Sequence, residues 1–173
     1  MKQKTTCSGF TLIELLVAIV IIAVLATIVI LLFNPQQIIK QSRDSIRLND
    51  LNDLEKAINV ALQDNNGNPA AILCFNLVPP CEGSSIDTGY YIRASDGTGW
   101  LKVNLRAAAY TSILAVDPLN NATNFYTYKT NPQGNKWEID AALESDKYLP
   151  KMQNDTGSNA NAYEIGSDLT IIP

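Results

Sequence analysis

One uninterrupted apolar segment, Phe10 to Phe33, constrains this chain more than any other feature of its sequence. It is 24 residues long and carries a single charged side chain, Glu14. A helix of this length spans roughly 36 Å at about 1.5 Å per residue, which is enough to cross a hydrocarbon core of about 30 Å. No other segment is apolar enough to surround a helix that is hydrophobic on all sides. The segment is therefore predicted to be a transmembrane helix rather than the core helix of a soluble domain.

The residues ahead of the apolar segment, Met1 to Gly9, form a short basic leader. A basic stretch before an apolar run is typical of an export signal or a signal anchor. An ordinary secretory signal cleaved before Thr27 would leave the apolar residues up to Phe33 exposed to water. A lipoprotein signal at Cys7 is disfavoured because nothing apolar precedes that cysteine. The third possibility is cleavage ahead of the apolar segment, which would leave the membrane helix on the mature protein.

The charged residue Glu14, within the apolar segment, bears on the choice between these cleavage alternatives. An ionised carboxylate inside a membrane helix costs about 3 kcal/mol on insertion scales, so an acid at this place predicts a function. The alternative is that Glu14 lies near the membrane surface and extends its carboxylate into the headgroup region.

The segment Gly9–Glu14, GFTLIE, resembles the prepilin peptidase recognition sequence of type IV pilins and pseudopilins. The shared pattern is a short basic leader, Gly, Phe, three residues, Glu, and a long apolar helix. The resemblance implies cleavage after Gly9 and N-methylation of the new N-terminal residue, Phe10. It also implies that Glu14 complements the N-terminal amine of a neighbouring subunit during assembly.

The resemblance to this family implies partners and a location as well. The partners are prepilin peptidase, the inner-membrane assembly machinery, the membrane, and further copies of the chain in a helical filament. The implied location is a single-pass membrane precursor that later becomes an extracellular filament on the bacterial cell surface.

A second helix is predicted beyond the membrane segment. Asn34-Pro35 interrupts the apolar run, because proline removes a helical hydrogen bond or starts a new turn. Gln36 to Gln63 then has the pattern of an amphipathic helix, which ends at the Gly and Pro of Asp64–Pro69. Together with the apolar segment it is expected to form one long helix from Phe10 to Gln63, bent near Pro35, with a membrane half and an amphipathic half. The apolar residues at helical spacing are Leu51, Leu54, Ile58, Ala61 and Leu62.

Two charge pairs at helical spacing lie on this second helix. Lys40 and Asp44 are four residues apart, and Arg47 and Asp50 are three apart. Each pair is predicted to add a few tenths of a kcal/mol to helix stability.

Cysteine usage points to one disulfide. Removal of the leader would also remove Cys7, and the mature chain would then carry Cys74 and Cys81. An even count fits a single bridge in an oxidising compartment. The alternative is two reduced thiols in a cytosolic domain.

The C-terminal region is predicted to form a sheet. Phe125–Tyr128 and Trp137–Leu143 flank the turn Asn131–Asn135 and predict a hairpin. The predicted fold class is α+β and pilin-like, with the long N-terminal helix packed on a C-terminal antiparallel sheet. Four shorter pieces are further strand candidates: Tyr90–Ile92, Trp100–Val103, Tyr163–Ile165 and Leu169–Ile172.

The predicted organisation has four parts: a leader at 1–9, a transmembrane and assembly helix at 10–33, its amphipathic continuation at 34–66, and a globular head at 67–173.

The composition argues against most catalytic chemistry. The chain has no histidine, which excludes a Ser-His-Asp triad, a Cys-His dyad and an HExxH zinc site. A net charge of −4 argues against a nucleic-acid partner. No phosphate-binding glycine motif is present. We therefore expect no enzyme, no cofactor and no metal site.

Oxygen-rich C-terminal loops qualify the expectation about metals. Some pseudopilins hold calcium in such loops, which makes Asp155 and Asp168 the candidate ligands. Solvated turns are the favoured interpretation, since neither Asp64–Asn68 nor Asn154–Asn161 fits an EF-hand pattern. Asp140 and Glu144 are assigned to a strand and its end, with no pocket implied.

The predicted function is a structural subunit of a type IV pilus-like cell-surface filament, assembled through the N-terminal helix after cleavage. Two alternatives stay open. One is a pseudopilin of a type II secretion or DNA-uptake system, and the other is a membrane-anchored binding module that does not assemble.

Overall fold

The computed structural model describes residues 9–64, 68–87, 92–106 and 112–173. Residues 1–8 of the predicted leader, which include Cys7, lie outside the described residues, and so do Tyr90 and Tyr91 of one predicted strand. The chain divides into two compact units, Met1–Ile38 and Ile39–Pro173.

The first unit contains helix α1, Leu12–Phe33, of 22 residues. Its stretch Leu12–Ile30 is long and apolar enough to cross a membrane, and none of it is buried inside the protein. The helix ends at Asn34, whose φ of 39° is left-handed, a conformation that Asn tolerates better than most residues. The predicted N-terminal apolar helix is thus confirmed.

Helix α2 follows at Pro35–Asp64, with proline at the start, where its missing N–H costs nothing. The predicted amphipathic helix is confirmed, because one face of α2 is buried in the second unit. The buried apolar residues of this face are Leu51, Leu54, Ala57, Ile58 and Ala61. They belong to the same core as Tyr126, Tyr128 and Ile139 of the sheet.

The second unit contains a four-stranded antiparallel sheet in the order β1-β2-β3-β4. The hairpin predicted around Asn131–Asn135 is confirmed, with Tyr128 opposite Ile139. The α+β, pilin-like fold class is therefore confirmed. The strands are β1 Glu82–Ser84, β2 Tyr126–Thr130, β3 Trp137–Ala141 and β4 Tyr163–Gly166, and the two short helices are α3 Pro69–Leu73 and α4 Leu149–Asn154.

Two of the predicted strands are wrong. Trp100–Val103 is a loop segment that fills the core, where the Trp100 indole donates to Ala115 O at 2.9 Å. Leu169–Ile172 is a turn and an irregular end. The amides of Ile171 and Ile172 donate to the carboxylate of Glu138 rather than to a neighbouring strand, which explains why no ladder forms there.

Strand β3 is buried on both faces. Side chains alternate along a strand, so Trp137, Ile139 and Ala141 share one face and Glu138 and Asp140 share the other. The first face joins the hydrophobic core. The second face is covered as well, although its side chains are acidic.

Cys74 and Cys81 form the predicted disulfide, with their Cα atoms 5.8 Å apart. Both cysteines are buried. Cys74 is the C-cap of α3 and Cys81 directly precedes β1, so the bridge ties a helix end to the start of an edge strand.

Loss of this bridge should destabilise the second unit. We expect Cys74→Ser together with Cys81→Ser to lower the free energy of unfolding by about 2–3 kcal/mol, because a short loop is no longer closed in the unfolded chain. Urea unfolding of the full chain in detergent, followed by near-ultraviolet circular dichroism, measures the change. Cys7→Ser is the matched control and should leave the midpoint unchanged. Equal midpoints for the double variant and the unreduced wild type would contradict the prediction.

Candidate functional site

The residues around the predicted cleavage position form a helix cap. Thr11 is the N-cap of α1, in an extended conformation with φ −80° and ψ 152°. The Glu14 amide donates to Thr11 Oγ1 at 3.3 Å, and the Thr11 amide and hydroxyl donate to Glu14 Oε2 at 2.9 and 2.7 Å. This reciprocal capping box satisfies amides that the first helical turn would otherwise leave unpaired. It fixes the start of the helix two residues after Phe10.

Gly9 and Phe10 consequently lie ahead of the helix, in irregular backbone. Both are exposed, and Phe10 retains 82% of its accessible surface. A Cβ added at Gly9 would meet no atom within 4 Å. The fold therefore does not require glycine at this position, and a requirement for it would have to come from a protein that binds the segment.

Glu14 is the one acid on an apolar surface. The groove beside it is lined by Phe10, Ile13, Val17, Ala18 and Ile21. Both hydrogen bonds that the Glu14 carboxylate accepts from Thr11 use the same oxygen, Oε2. An amine that approached the helix here would meet a single carboxylate in apolar surroundings.

A second polar group, in the second unit, centres on Arg47, whose side chain has no exposed surface. Its Nε and Nη2 donate to the two oxygens of Asp117 at 2.6 and 3.0 Å. Its Nη1 lies 2.7 Å from Asp44 Oδ1 and 2.6 Å from Glu144 Oε1. Arg43 donates to Glu144 Oε2 at 2.6 Å. These five side chains, which we call the Arg47 network, join helix α2 to two distant loops.

The predicted local pairs Lys40–Asp44 and Arg47–Asp50 are replaced by these contacts. Asp44 accepts from Arg47 and from the amide and hydroxyl of Ser145, at 2.7 and 2.6 Å. Asp50 accepts from the hydroxyl of Tyr126 at 2.9 Å. The local pairing fails because partners about 70 to 101 residues away compete for the same atoms in a buried setting.

Hydrogen bonds keep the Arg47 network ionised. Burial alone would lower the pKa of Arg47, but its hydrogen bonds to Asp117, Glu144 and Asp44 raise that pKa above its ordinary value. The hydrogen bond from Arg43 is the main reason that the pKa of Glu144 is lowered. The network therefore holds charged groups at neutral pH and has a structural role.

Replacement of Arg47 should be severe. We expect Arg47→Met to lower the free energy of unfolding by about 3–5 kcal/mol, because it leaves buried carboxylates without their cation. Lys56→Met is the matched control on the same helix. Lys56 lies 3.4 Å from Asp53, and both side chains are exposed. Exposed ion pairs contribute little, so the loss of Lys56 should lower the free energy of unfolding by less than about 1 kcal/mol. Calorimetry of both full-length variants in detergent tests this, and equal stabilities would contradict it.

A third group is acidic and lies on the covered face of the sheet. Glu138 and Asp140 of β3 and Glu164 of β4 each offer a carboxylate oxygen, and these oxygens lie within 4.8 Å of one another. Burial, together with the neighbouring charges of Glu138 and Glu164, raises the pKa of Asp140 to about 8. Burial also raises the pKa of Glu138. We call these three residues the carboxylate cluster.

The sequence pointed to other acids as metal ligands, and the expectation that no pocket involves Asp140 is wrong, because this residue lines a cavity. Asp155 accepts from the amides of Gly157 and Glu164, and Asp168 accepts from the Thr170 hydroxyl. These carboxylates stabilise turns. The sequence signal for the cluster was the alternation of apolar and acidic side chains in WEIDA, residues 137–141, which puts Glu138 and Asp140 on one face of a strand.

Comparison with known families agrees with the geometry of the N-terminus. Residues 4–30 match the family described as the prokaryotic N-terminal methylation motif, the signal of type IV pilins and pseudopilins. With its apolar helix, its long second helix and its antiparallel sheet, the protein is a pilin-like α+β protein that carries this signal. No curated protein and no solved structure matches the chain.

The motif indicates how the protein is processed and where its precursor lies in the cell. It implies processing by prepilin peptidase and contact with the pilus assembly machinery in general. Together with the apolar helix α1, it fits a membrane-anchored precursor. The proteins that carry the motif are structural rather than enzymatic.

Proposed function

We propose that this protein is a structural, non-catalytic subunit of a type IV pilus-like cell-surface filament, assembled through α1 after prepilin peptidase cleavage. The observation that carries the proposal is the methylation signal at residues 4–30, which leads directly into an apolar helix. None of the side chains of Leu12–Ile30 in that helix is buried inside the protein. In the bilayer lipid covers them, and in a filament the α1 helices of other copies would do so.

The geometry at the N-terminus supports cleavage between Gly9 and Phe10. The bond lies in exposed, non-helical backbone, where a peptidase can bind it in extended form. The capping box begins at Thr11, so removal of residues 1–9 leaves the start of α1 intact. The new amine at Phe10 is the group that the family methylates.

Glu14 is proposed to pair with the Phe10 amine of an adjacent subunit. A carboxylate in a membrane helix is costly alone and becomes favourable when a cation shares its dry surroundings. The Thr11 bonds occupy Oε2 of the carboxylate, so the proposal assigns the amine to Oε1. Such a pair would also fix the axial register between subunits, because it forms at only one offset.

The first test concerns processing. Gly9→Val should block maturation, because it places a branched side chain beside the scissile bond while the fold tolerates a Cβ there. Thr6→Val is the control for a branched residue elsewhere in the leader and should mature normally. Mass spectrometry of the N-terminus in cells gives the result. A mature N-terminus at Phe10 in Gly9→Val, or at Thr27 in the wild type, would contradict the proposal.

The second test concerns assembly. Glu14→Gln keeps the capping box, since glutamine can accept the same bonds, but removes the charge. Glu14→Val removes both and inserts more readily into the membrane. We expect both variants to be processed and membrane-resident yet to yield few filaments by electron microscopy, relative to membrane-bound subunit.

Two controls separate pairing from other effects of these substitutions. Thr11→Val breaks the capping box and keeps the charge, and Thr27→Val removes a different polar group from α1. Both should assemble better than Glu14→Gln. Normal filaments from Glu14→Val would rule out the pairing role. Processed wild-type protein that stays in the membrane without filaments would favour a pseudopilin or a non-assembling module.

A further inference from the structure

The carboxylate cluster is built into regular structure rather than into a loop. Strands β3 and β4 pair antiparallel with Asp140 directly opposite Glu164. Glu138 lies two residues before Asp140 and therefore on the same face. The backbone thus brings three acids together at fixed positions, and their nearest oxygens are within 4.8 Å of one another.

These carboxylates are buried and incompletely bonded. The exposed fractions of Glu138, Asp140 and Glu164 are 0%, 6% and 2%. Within the described ranges, Glu138 Oε1 and Asp140 Oδ1 have no hydrogen-bond partner. Buried polar atoms in proteins are nearly always bonded, so two orphaned oxygens in one cluster require an explanation.

The hydrogen bonds that Glu138 and Glu164 do accept come from backbone amides. Glu138 Oε2 accepts the amides of Ile171 and Ile172, both at 2.7 Å. The carboxylate of Glu164 accepts the amides of Ser158 and Asn159. Backbone amides thus hold these two carboxylates in place.

Among the residues that the structure describes, no side-chain cation forms an ion pair with the cluster. The ion pairs of lysine and arginine in the described ranges end on Asp44, Asp53, Asp117 and Glu144, and none ends on the carboxylate cluster. Three buried acids would together carry up to three negative charges. Buried charges of one sign are retained in proteins where a counter-ion or a metal pairs with them.

We propose that Glu138, Asp140 and Glu164 bind a divalent cation with a preference for oxygen ligands, Ca²⁺ in the first place. Calcium binds its oxygen ligands at about 2.4 Å, so two oxygens on opposite sides of one ion are about 4.8 Å apart. The carboxylate oxygens of the cluster lie within 4.8 Å of one another and can therefore contact the same ion. The ligands would be the orphaned oxygens of Glu138 and Asp140 together with the carboxylate of Glu164. A purely carboxylate set favours Ca²⁺, Mg²⁺ or Mn²⁺ over metals that prefer nitrogen or sulfur.

The proposed ion and its water would enter beside Asp140. This residue lines a cavity of about 220 Å³ together with Asn159, Ala162 and Ile172. Ca²⁺ takes six to eight oxygen ligands, so water from this cavity would complete the shell. The bound ion would connect the sheet to the two segments that anchor the carboxylates, at Ser158–Asn159 and Ile171–Ile172.

The test uses the full chain in detergent, stripped of metal with EDTA and dialysed. Titration calorimetry with CaCl₂ should show one site, and the melting temperature should rise with CaCl₂ and return with EDTA. MgCl₂ should bind more weakly, because Mg²⁺ demands a tighter octahedral shell. Asp140→Asn and Glu138→Gln should each weaken Ca²⁺ binding at least about tenfold, since ligand charge sets affinity.

Matched controls remove acids outside the cluster. Asp53→Asn takes an exposed carboxylate from α2, and Asp168→Asn takes the turn carboxylate near the C-terminus. Both should bind Ca²⁺ like the wild type. No calorimetric signal and no thermal shift in the wild type at millimolar CaCl₂ would overturn the proposal. So would an unchanged affinity in Asp140→Asn and Glu138→Gln, or loss of binding in Asp168→Asn alone. If a cluster variant fails to fold, the wild-type response decides the outcome.

Discussion

The second unit of this protein is organised around one cation without exposed surface, the guanidinium of Arg47. A guanidinium presents its N–H donors in one plane, so its acceptors have to arrive at set positions. They come from α2 itself at Asp44, from the loop before β2 at Asp117, and from the chain after β3 at Glu144. Asp44 and Asp117 also accept backbone amides in the loops that they meet or belong to. The charge of one side chain thus sets the path of two loops as well as their attachment to the helix.

The parts of the fold that depend on local pattern were predictable from sequence. The apolar run gave α1, the spacing of Leu51, Leu54 and Ile58 gave the buried face of α2, and a turn between aromatic strands gave the β2–β3 hairpin. Parts that depend on distant partners were not. Strand β1 has the sequence EGS, which lacks β-branched residues, and it forms because β2 offers an open edge. The sequence did not predict the Arg47 network for the same reason, since the acceptors Asp117 and Glu144 are far from Arg47 in sequence.

The candidate sites show the same division. Gly9, Phe10 and Glu14 were found because a contiguous motif carries them. The capping box was missed, although Thr11 and Glu14 have the spacing of a T-x-x-E helix start. The carboxylate cluster needed the pairing of β3 with β4, which brings Glu164 to Asp140, and no single stretch of sequence contains that information.

The placement of the tryptophans has a practical optical consequence. The chain contains 2 tryptophans, Trp100 and Trp137, which are 0% and 1% exposed, and both are in the second unit. Helix α1 has none, so indole emission originates entirely outside the apolar segment. Lipid or detergent that surrounds α1 should leave the emission maximum unchanged, whereas opening of the core should shift it to longer wavelength as water reaches the rings. The fluorescence of the two tryptophans therefore reports on the second unit independently of helix α1.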